Sequence, residues 1–439
     1  MSVRLVVKKL LRSIREHQPD VSLSLFFAAG VIGLSLQIRY PAEGGAEMMT
    51  LARNIAAHGT FANPFPTLNT GTTAMNPPLY PLMVAGLIKV LRIPSLVWAA
   101  TIAGSILANA VTAVLLLRVS CLFFGDVMPG LAASILWLGV MPASPGWDTS
   151  YTVMGLLFFC LLTHSAMDRA NNIGALAAGG VVGGLLFLLN PSSLLISLPW
   201  VGYLAWKQKR HFYHSLKYCG IVVAVIFIFV AGWSVRNHLR LGTFAVRTNL
   251  GMTLYASNND CAESSVARDS WNGCYQAHNP WMSVREAELL RNIGEAQYDR
   301  SRIAETKKWV KANPGKFLKL TAARVVEFWF PPAETIPASV ADNTHDTWFV
   351  TWQSRQNGIA YAVWIITALS LPGFVCMARN REPVRVFVLL VLALYPLLYY
   401  VVVSDIRYRY PVLWLSLLSA GYLVCEALLP LEENRNIER

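Results

Sequence analysis

The stretch 79-LYPLMVAGLIKVLRI-93 decides the arrangement of the chain, because the orientation of every later segment depends on whether it crosses a membrane. It is apolar but short, since a helix needs about 20 apolar residues to cross a bilayer core. It also follows Pro77-Pro78 and carries Lys89 and Arg92 near its end. We predict that this segment lies along the membrane surface or re-enters it without crossing.

The remainder of the sequence indicates a protein built for the membrane. Its 439 residues are 54% hydrophobic and only 14% charged, whereas soluble domains carry about 25% charged residues. The same composition excludes a disordered chain. Ten further apolar stretches are candidates for transmembrane helices: 22–38, 97–117, 128–144, 151–167, 173–189, 191–206, 215–234, 358–377, 384–403 and 410–429.

Basic residues set the orientation of these helices. If 79–93 does not cross, the basic N-terminus and the loops 207–210 and 379–385 all face the cytoplasm, as the positive-inside rule requires. We therefore predict ten transmembrane helices with both termini in the cytoplasm. Most of the net charge of +12 then reflects topology, so it does not indicate a nucleic-acid partner. Lys89 and Arg92 lie on the outer side and argue against this topology.

Two segments remain on the outer side besides short turns. One is the first outer loop, about 39–96, and the other is a polar outer segment, about 235–357, which is long enough to fold as a small domain. The outer segment contains Cys261 and Cys274, separated by twelve residues. In an oxidising compartment we expect them to form a disulfide. The alternatives are two free thiols or a metal site, although no CxxC spacing or nearby histidine pair supports a metal.

Local signals predict that the outer segment is mainly helical. Ser283-Val284-Arg285-Glu286 has the pattern of a capping box, and we expect the helix that it opens to run to Ala312. A second helix is expected over about 315–330, ended by Pro331-Pro332. We also expect extended segments near 243–256.

Charged side chains avoid the middle of all ten candidate helices. Ionisable groups inside a bilayer usually mark transport paths, so their absence there argues against passage of a solute through this protein. Acidic and basic residues collect instead at the outer helix ends: Glu43, Glu47, His58, Asp148, Arg236, Asp405, Arg407 and Arg409. This pattern favours a reaction at the outer membrane surface.

The first outer loop offers two carboxylates. Residues 46–56 have the pattern of an amphipathic helix at the membrane interface, ending at His58-Gly59. Glu43 and Glu47 are four residues apart and share a face if this helix starts early enough. A carboxylate shielded from water there can act as a general base. The alternative is that both are solvated charges near a helix N-terminus.

The other polar landmarks also have two interpretations. Asp148 either caps the N-terminus of the fourth helix or supplies an acidic group to a site. Arg407-Tyr408-Arg409 either anchors the last helix at the interface or binds a lipid phosphate. Gly179-Gly180-Val181-Val182-Gly183-Gly184 contains two overlapping GxxxG pairs, which inside a membrane span indicate close helix packing and not phosphate binding.

Taken together, these landmarks resemble a bacterial GT-C class membrane glycosyltransferase. The similarity is to the family-39-like enzymes of the protein-mannosyltransferase and aminoarabinose-transferase type, which depend on polyprenyl-phosphate sugars. The resembling residues, in order, are Glu47-Met48, Leu51-Ala52, His58-Gly59-Thr60-Phe61, Thr70-Gly71-Thr72-Thr73-Ala74, Pro77-Pro78-Leu79-Tyr80-Pro81, Asp148, Leu188-Leu189-Asn190-Pro191, Trp233-Ser234-Val235-Arg236-Asn237, Gly251, Asn258-Asn259 and Arg407-Tyr408-Arg409-Tyr410-Pro411.

The resemblance implies an all-α polytopic membrane protein of GT-C type in the bacterial inner membrane, with its active site facing the periplasm. Juxtamembrane helices would lie in the first outer loop. Three parts follow: an N-terminal transmembrane catalytic module (1–234), a small, mainly helical periplasmic domain (235–357) and C-terminal transmembrane helices (358–439).

The implied reaction is inverting transfer of a sugar from a polyprenyl-phosphate donor to a periplasmic glycan, lipid or protein acceptor. The donor's tail would lie among membrane lipid and helices.

The resemblance also suggests roles for the outer residues. Glu47 would accept the proton of the acceptor, and Asp148 would position the acceptor or a metal. Arg407, Arg409, Tyr408, Arg236 and His58 are the candidates for contact with the donor and its phosphate. No cofactor is certain, but some GT-C enzymes use a divalent cation.

One departure from the family pattern concerns the acid. Many members place an aspartate about eight residues before the position of Ala52, where this chain has Gly44 flanked by Glu43. We favour Glu47 as the base, with Glu43 as the second candidate.

Two functions from other classes compete with transfer. A lipid-linked glycan flippase or other transporter would be expected to show internal repeats and broken helices at the membrane midplane, and the sequence shows no convincing repeat. A non-catalytic envelope assembly protein would tolerate replacement of every outer acid and arginine.

Overall fold

The computed structural model describes residues 15–40, 46–142, 146–168, 173–207, 212–336 and 347–428. Glu43 lies outside the described residues. Within the described ranges the chain is built from helices, with two isolated β-bridges and no strand.

Among the residues that the structure describes, nine helices precede or enter the outer segment: α1 Gln18–Arg39, α2 Ala46–His58, α3 Leu79–Leu91, α4 Pro94–Phe124, α5 Met128–Val140, α6 Thr149–Asp168, α7 Ile173–Leu189, α8 Leu194–Lys207 and α9 Phe212–Leu241. The outer segment continues with α10 Leu250–Ser257, α11 Val266–Trp271, α12 Cys274–His278, α13 Val284–Ile293, α14 Glu295–Ala312 and α15 Pro314–Trp329. The last described helices are α16 Thr347–Arg379, α17 Arg385–Leu394 and α18 Tyr410–Leu428, with short 3-10 turns at Pro191–Ser193, Tyr395–Leu398 and Ile406–Arg409.

The apolar helices make this a multi-pass membrane protein. Within the described residues, six helices are long and apolar enough to cross a membrane: Gln18–Arg39, Pro94–Phe124, Thr149–Met167, Leu216–Leu241, Gln353–Arg379 and Ile406–Ala427. Each of the ten stretches predicted as a span overlaps a described helix, but the helices within 128–144 and 384–403 are shorter than predicted and end at Val140 and Leu398. The number of crossings and their direction stay predictions.

The glycine pairs of α7 allow close helix packing, as the sequence predicted. A Cβ atom added at Gly180 would lie 2.6 Å from Cβ of Val225 on α9, and one at Gly184 would lie 2.2 Å from the ring of Phe229. Neither distance is possible for a real side chain, so only glycine lets these two helices approach so closely.

The segment 79–93 forms α3, which packs on the helix of the first outer loop. Met48, Ala52 and Ile55 of α2 bury their side chains against Tyr80 and Val84 of α3. At 13 residues α3 is about 20 Å long, shorter than a bilayer core of about 30 Å. The predicted helix that ends at His58-Gly59 is present, and Gly59 takes the left-handed conformation (φ 69°) of a helix C-cap. This packing fixes the N-terminal turn of α2, and with it Glu47.

The outer segment corrects one predicted helix. Ser283 Oγ accepts the backbone N–H of Glu286 (3.4 Å), so this half of the capping box is present. The helix stops at Ile293, however, because Gly294 (φ 81°, ψ 152°) breaks it before α14 begins. The side chain of Glu286 accepts hydrogen bonds from Tyr298 (2.7 Å) and Arg302 (2.8 Å) on α14 instead of completing the box. A pattern within one helix cannot reveal that the carboxylate is used by the next.

The extended structure predicted near 243–256 is wrong for its second half, where α10 forms. Packing against α14 stabilises this helix: the N–H of Gly251 donates to Asp299 (2.6 Å), and a Cβ at Gly251 would clash with the Asp299 carbonyl. Its weak helix signal, with Gly and Thr, is overridden by these tertiary contacts. The predicted disulfide between Cys261 and Cys274 is confirmed.

Candidate active site

Arg407 is held at the start of the last transmembrane helix by two neighbours. Asp405 caps the 3-10 turn Ile406–Arg409, its carboxylate accepting both the backbone N–H (2.8 Å) and Nε (2.8 Å) of Arg407. The guanidinium stacks over the ring of Trp147, 3.9 Å from its centroid. Its two Nη nitrogens make no hydrogen bond to any residue in the described ranges. The side chain is thus fixed in direction while its donor groups stay available.

A second cation, Arg247, acts on the same acids as Arg407, and the sequence analysis did not find it. Arg247 follows α9, and its Nε donates to the carbonyl oxygen of Met75 (2.9 Å) in the first outer loop. Arg247 and Arg407 both act to lower the pKa of Glu47, and both act to lower that of Asp148. Each of these two guanidinium groups therefore acts on both carboxyl groups, and we name the four residues the carboxylate–guanidinium cluster.

Burial is the larger effect on both acids of the cluster. It raises the pKa of Glu47 and that of Asp148 above their ordinary values. The two arginines partly offset it at Glu47, and the hydrogen bond from Thr152 followed by the two arginines partly offsets it at Asp148. Asp148 is 8% exposed, and Glu47 in the first turn of α2 is half-buried. Carboxyl groups whose pKa values are raised by burial are typical of general acids and bases.

The structure bears on one of the two roles predicted for Asp148, the helix cap. It occupies the position before α6, and its carbonyl oxygen accepts the N–H of Thr152 (2.9 Å). The described hydrogen bond of its carboxylate, however, comes from the hydroxyl of Thr152 (3.1 Å) and not from a backbone N–H at the helix start. The carboxylate is thereby oriented at the N-terminal end of α6, where Arg247 and Arg407 act on it.

A row of hydroxyl groups, from Ser192, Tyr395 and Tyr399, lies next to the cluster. The phenol of Tyr399 donates to Ser192 (3.1 Å) and lies 3.2 Å from that of Tyr395, while its ring stacks on Tyr408 with the centroids 4.5 Å apart. Ser192 in turn donates to the side chain of Asn190 (2.7 Å). Donors and acceptors in such an array suit a polar, hydroxyl-rich ligand.

The outer segment contributes Tyr275 of α12 to the same place. Burial raises the pKa of this phenol, and Glu47, Tyr408 and Arg407 also act on it electrostatically. Tyr275, a residue of the outer segment, is therefore within electrostatic range of Glu47 and Arg407.

Three predicted site residues lie elsewhere. Arg236 donates to the carbonyls of Thr73 (2.7 Å) and Phe61 (3.3 Å), which attaches the first outer loop to α9. Arg409 is 1% exposed and donates to Ser416 (2.9 Å) within the helix bundle.

His58 is exposed at the far end of α2, eleven residues and so about 16 Å along the axis from Glu47. The described contacts of these three residues do not join them to the cluster.

Few of the described side chains are arranged so that they could bind a metal ion. In the described part of the chain, the group of three or more potential ligands close enough to share an ion is Cys261, Cys274 and His278. Two of these are joined in the disulfide, so they offer no thiolate. Glu47 and Asp148 are the oxygen ligands that the cluster could offer to Mg²⁺ or Mn²⁺.

The residues missed by sequence reasoning carry weak signals. Arg247 lies in an irregular segment with no motif around it, and Tyr275 lies in a five-residue helix. The spacing of Tyr395 and Tyr399 is a signal in the sequence that could have been used. Residues four apart lie on one face of a helix, and this pair is close in sequence to Arg407.

Comparison with solved structures identifies the fold. No family model matches the sequence, and no curated protein matches it. The archaeal oligosaccharyltransferase AglB from Archaeoglobus fulgidus, in complex with an inhibitory peptide and a dolichol-phosphate, aligns with 97% of this chain at 11% identity and a TM-score of 0.53. The Archaeoglobus fulgidus oligosaccharyltransferase in the apo form covers 95% at 12% identity, also with a TM-score of 0.53. The same enzyme tethered to an acceptor peptide containing the NVT sequon covers 95% at 14% identity and 0.50.

These likenesses extend over almost the whole of this chain but only part of the other proteins. The chain spans about half of their length, 51–52%. At such low identity the agreement concerns the backbone arrangement. The chain is a helical, multi-pass membrane protein that shares the fold of the matched half of these oligosaccharyltransferases.

Proposed function

We propose that this protein transfers a sugar, with inversion, from a polyprenyl-phosphate donor to an acceptor at the periplasmic face of the bacterial inner membrane. The observation that carries the proposal is the carboxylate–guanidinium cluster, in which Glu47 and Asp148 share Arg247 and Arg407. A base for the acceptor and cations for a phosphate are the two requirements of such a transfer. The fold agrees, since one similar structure is described with a dolichol-phosphate.

Glu47 is the proposed general base. As the acceptor hydroxyl oxygen attacks the anomeric carbon, its proton passes to the Glu47 carboxylate and the bond from that carbon to the phosphate oxygen breaks. Attack from the face opposite the phosphate inverts the configuration. Asp148 accepts a hydrogen bond from the acceptor and orients it, because its own carboxylate is fixed by Thr152.

Arg407 and Arg247 are the proposed partners of the phosphate. The bond-breaking step leaves polyprenyl phosphate with an additional negative charge, and oriented guanidinium groups stabilise that charge as it develops. Tyr408, stacked on Tyr399, places a phenol beside Arg407. We propose that Arg236 and Arg409 are positioning residues, which hold the first outer loop and the helix bundle.

The three predicted parts acquire roles in this proposal. The transmembrane module 1–234 supplies Glu47 and Asp148, and the helices of 358–439 supply Arg407. The periplasmic part, 235–357, supplies Arg247 and closes the site with Tyr275. Glycan, lipid and protein acceptors all present a hydroxyl or amide that fits this chemistry.

The residues also fit a divalent cation, with Glu47 and Asp148 as oxygen donors. Such an ion would supply Lewis-acid stabilisation of the phosphate. We propose that the two arginines suffice, because they already place two positive charges at the cluster. Transfer is then expected to persist after EDTA treatment, and loss of activity that Mg²⁺ or Mn²⁺ restores would contradict this.

Envelope glycan analysis tests the proposed function. A strain without the gene is complemented with the wild type, with Glu47→Gln, or with Glu288→Gln, an exposed residue of α13 that undergoes the same chemical change away from the cluster. Mass spectrometry of lipid-linked and envelope glycans is expected to show a sugar that the wild type and Glu288→Gln restore and Glu47→Gln does not. Unchanged glycans in the deletion strain would contradict transferase function, and full restoration by Glu47→Gln would contradict the assigned base.

A further inference from the structure

A basic cleft opens between α2 and α3. It has a volume of about 490 Å³ and an apolar floor, and three cations surround it. Its lining residues are Arg53, Ala56, Ala57, Ile88, Lys89 and Arg92. Two of these cations, Lys89 and Arg92, are the residues whose predicted outward position conflicts with the positive-inside rule.

The cations of the basic cleft have no acidic partner in the described ranges. Arg53, Lys89 and Arg92 are all exposed, and none forms an ion pair or hydrogen bond with another described side chain. The sequence of α3 contains no acidic residue, and α2 contains only Glu47, in its first turn. Three like charges around one cavity repel one another unless an anion lies between them.

The backbone conformation of Arg92 is a second indication that its side chain has a function. Arg92 ends α3 in the left-handed conformation (φ 59°), where glycine is the usual residue because a Cβ is strained there. A strained non-glycine residue is commonly kept for the work of its side chain. Attraction to the C-terminal dipole of α3 would account for Lys89 and Arg92 but not for Arg53, which lies on α2.

The surface beside the cleft is apolar and uncovered. Val90, Ile93 and Leu96 are 78%, 52% and 48% exposed, and they lie on α3 and at the start of α4. Apolar residues next to a basic rim are typical of helices at the membrane interface. A ligand that fills both regions carries an anionic head and hydrocarbon chains.

We infer that the basic cleft binds the phosphate headgroup of an anionic bilayer phospholipid, with the acyl chains along the exposed face of Val90, Ile93 and Leu96. Arg53 from α2 and Lys89 and Arg92 from α3 hold the phosphate jointly. The lipid thereby links the two helices of the first outer loop. Lys89 and Arg92, which the positive-inside rule does not explain, then contact the membrane through its phosphate. This inference is independent of sugar transfer, because it concerns a surface outside the carboxylate–guanidinium cluster.

Native mass spectrometry of the full-length protein tests this inference. The protein is released from mixed vesicles of phosphatidylglycerol and phosphatidylcholine, and retained lipids are counted for the wild type and for the triple variant Arg53→Gln, Lys89→Gln, Arg92→Gln. The matched control, Lys307→Gln, Lys308→Gln, Lys311→Gln, removes the same charge from exposed positions of α14. We expect the wild type and the control to retain phosphatidylglycerol in preference to phosphatidylcholine, and the triple variant to lose that preference.

A single variant separates lipid binding from folding. Arg92→Gly removes one cation and relieves the left-handed backbone, so it is expected to melt no lower than the wild type while retaining less phosphatidylglycerol. Equal retention by the wild type and both cleft variants would overturn the inference. Displacement of the lipid by millimolar inorganic phosphate would assign a free-phosphate site instead, and retention of added polyprenyl phosphate alone would assign a donor site; both results reject a phospholipid site.

Discussion

Glu47 and Asp148 differ from ordinary surface carboxylates because burial and cations act on them in opposite directions. Burial raises the pKa of each; Arg407 and Arg247 limit the rise at Glu47, and at Asp148 the hydrogen bond from Thr152 does so together with the two arginines. A carboxylate whose pKa is raised is a stronger base than a solvated carboxylate. The pairing of two acids with two guanidinium groups is therefore suited to moving a proton and receiving a phosphate in one place.

The first prediction concerns the pH dependence of transfer. Only the ionised form of Glu47 accepts a proton, and its pKa is raised, so the rate is expected to fall as pH drops through a value above the usual carboxylate range. Glu47→Gln should lower kcat by about 10²–10⁴-fold and leave no such limb. Initial rates in proteoliposomes from pH 4 to 8 measure both effects; a limb of unchanged position in Glu47→Gln would assign it to another group.

The second prediction concerns Arg247, which no sequence motif marks. Arg247→Gln is expected to reduce the rate by about 10²–10³-fold, as observed on loss of one oriented donor to a developing charge. Arg240→Gln, an exposed change at the end of α9, serves as the control. Transfer rates of the two variants are measured in parallel. Equal rates would show that Arg247 does not contact the phosphate.

At the scale of elements, Glu295 joins the first outer loop to the outer segment. Its carboxyl group, 4% exposed, accepts the N–H of Ala74 (2.7 Å) and the hydroxyl of Thr248. Burial raises the pKa of Glu295 to about 7. The contact is therefore made by a group that is protonated more readily in the folded protein than in the unfolded chain.

The third prediction follows from this raised pKa. Between about pH 4.5 and 7 the folded protein holds a proton that the unfolded chain has lost, so stability falls as pH rises through this window, by about 3 kcal/mol in all. Glu295→Gln retains an oxygen acceptor and should remove this slope. Thermal unfolding in detergent at pH 4.5, 6 and 7.5 measures it, and an identical slope in the variant would refute the assignment.

The fourth prediction concerns the close packing of α7 against α9. Gly180→Ala introduces a Cβ about 2.6 Å from that of Val225 and is expected to destabilise the protein by about 1–3 kcal/mol. Gly220→Ala on α9 meets no atom within 4 Å, and it should be neutral or stabilising because alanine favours the helix. Melting of the two variants in one detergent compares them directly, and equal melting temperatures would show that the contact is not tight.

Elements whose signal lies within their own residues were predicted well. The helix that ends at His58-Gly59 and the helix that ends before Pro331 have strong local stop signals, and both are present. The break at Gly294 and the helix α10 depend on contacts with α14 through Glu286 and Gly251. Such contacts are not visible in a sequence pattern, because the partner lies on another element.

For the whole molecule, hydropathy predicts a polytopic helical bundle because each membrane helix must satisfy its own backbone. The site follows a different rule. Glu47, Asp148, Arg247 and Arg407 come from the first outer loop, the start of α6, the segment after α9 and the start of α18. Proximity of four distant segments arises from the fold, so sequence alone gave Glu47, Asp148 and Arg407 as candidates and left Arg247 out.

One measurement tests the proposed transfer most directly. Proteoliposomes of the purified wild type or Glu47→Gln receive the lipid and envelope extract of a strain without the gene, in which unused donor and acceptor are present. Mass spectrometry then follows the lipid-linked sugars over time. We predict that the wild type converts one polyprenyl-phosphate sugar into polyprenyl phosphate and a new glycoside, while Glu47→Gln leaves it intact. A wild-type reaction in which every lipid-linked sugar stays unchanged, or moves across the membrane without forming a glycoside, would contradict the account.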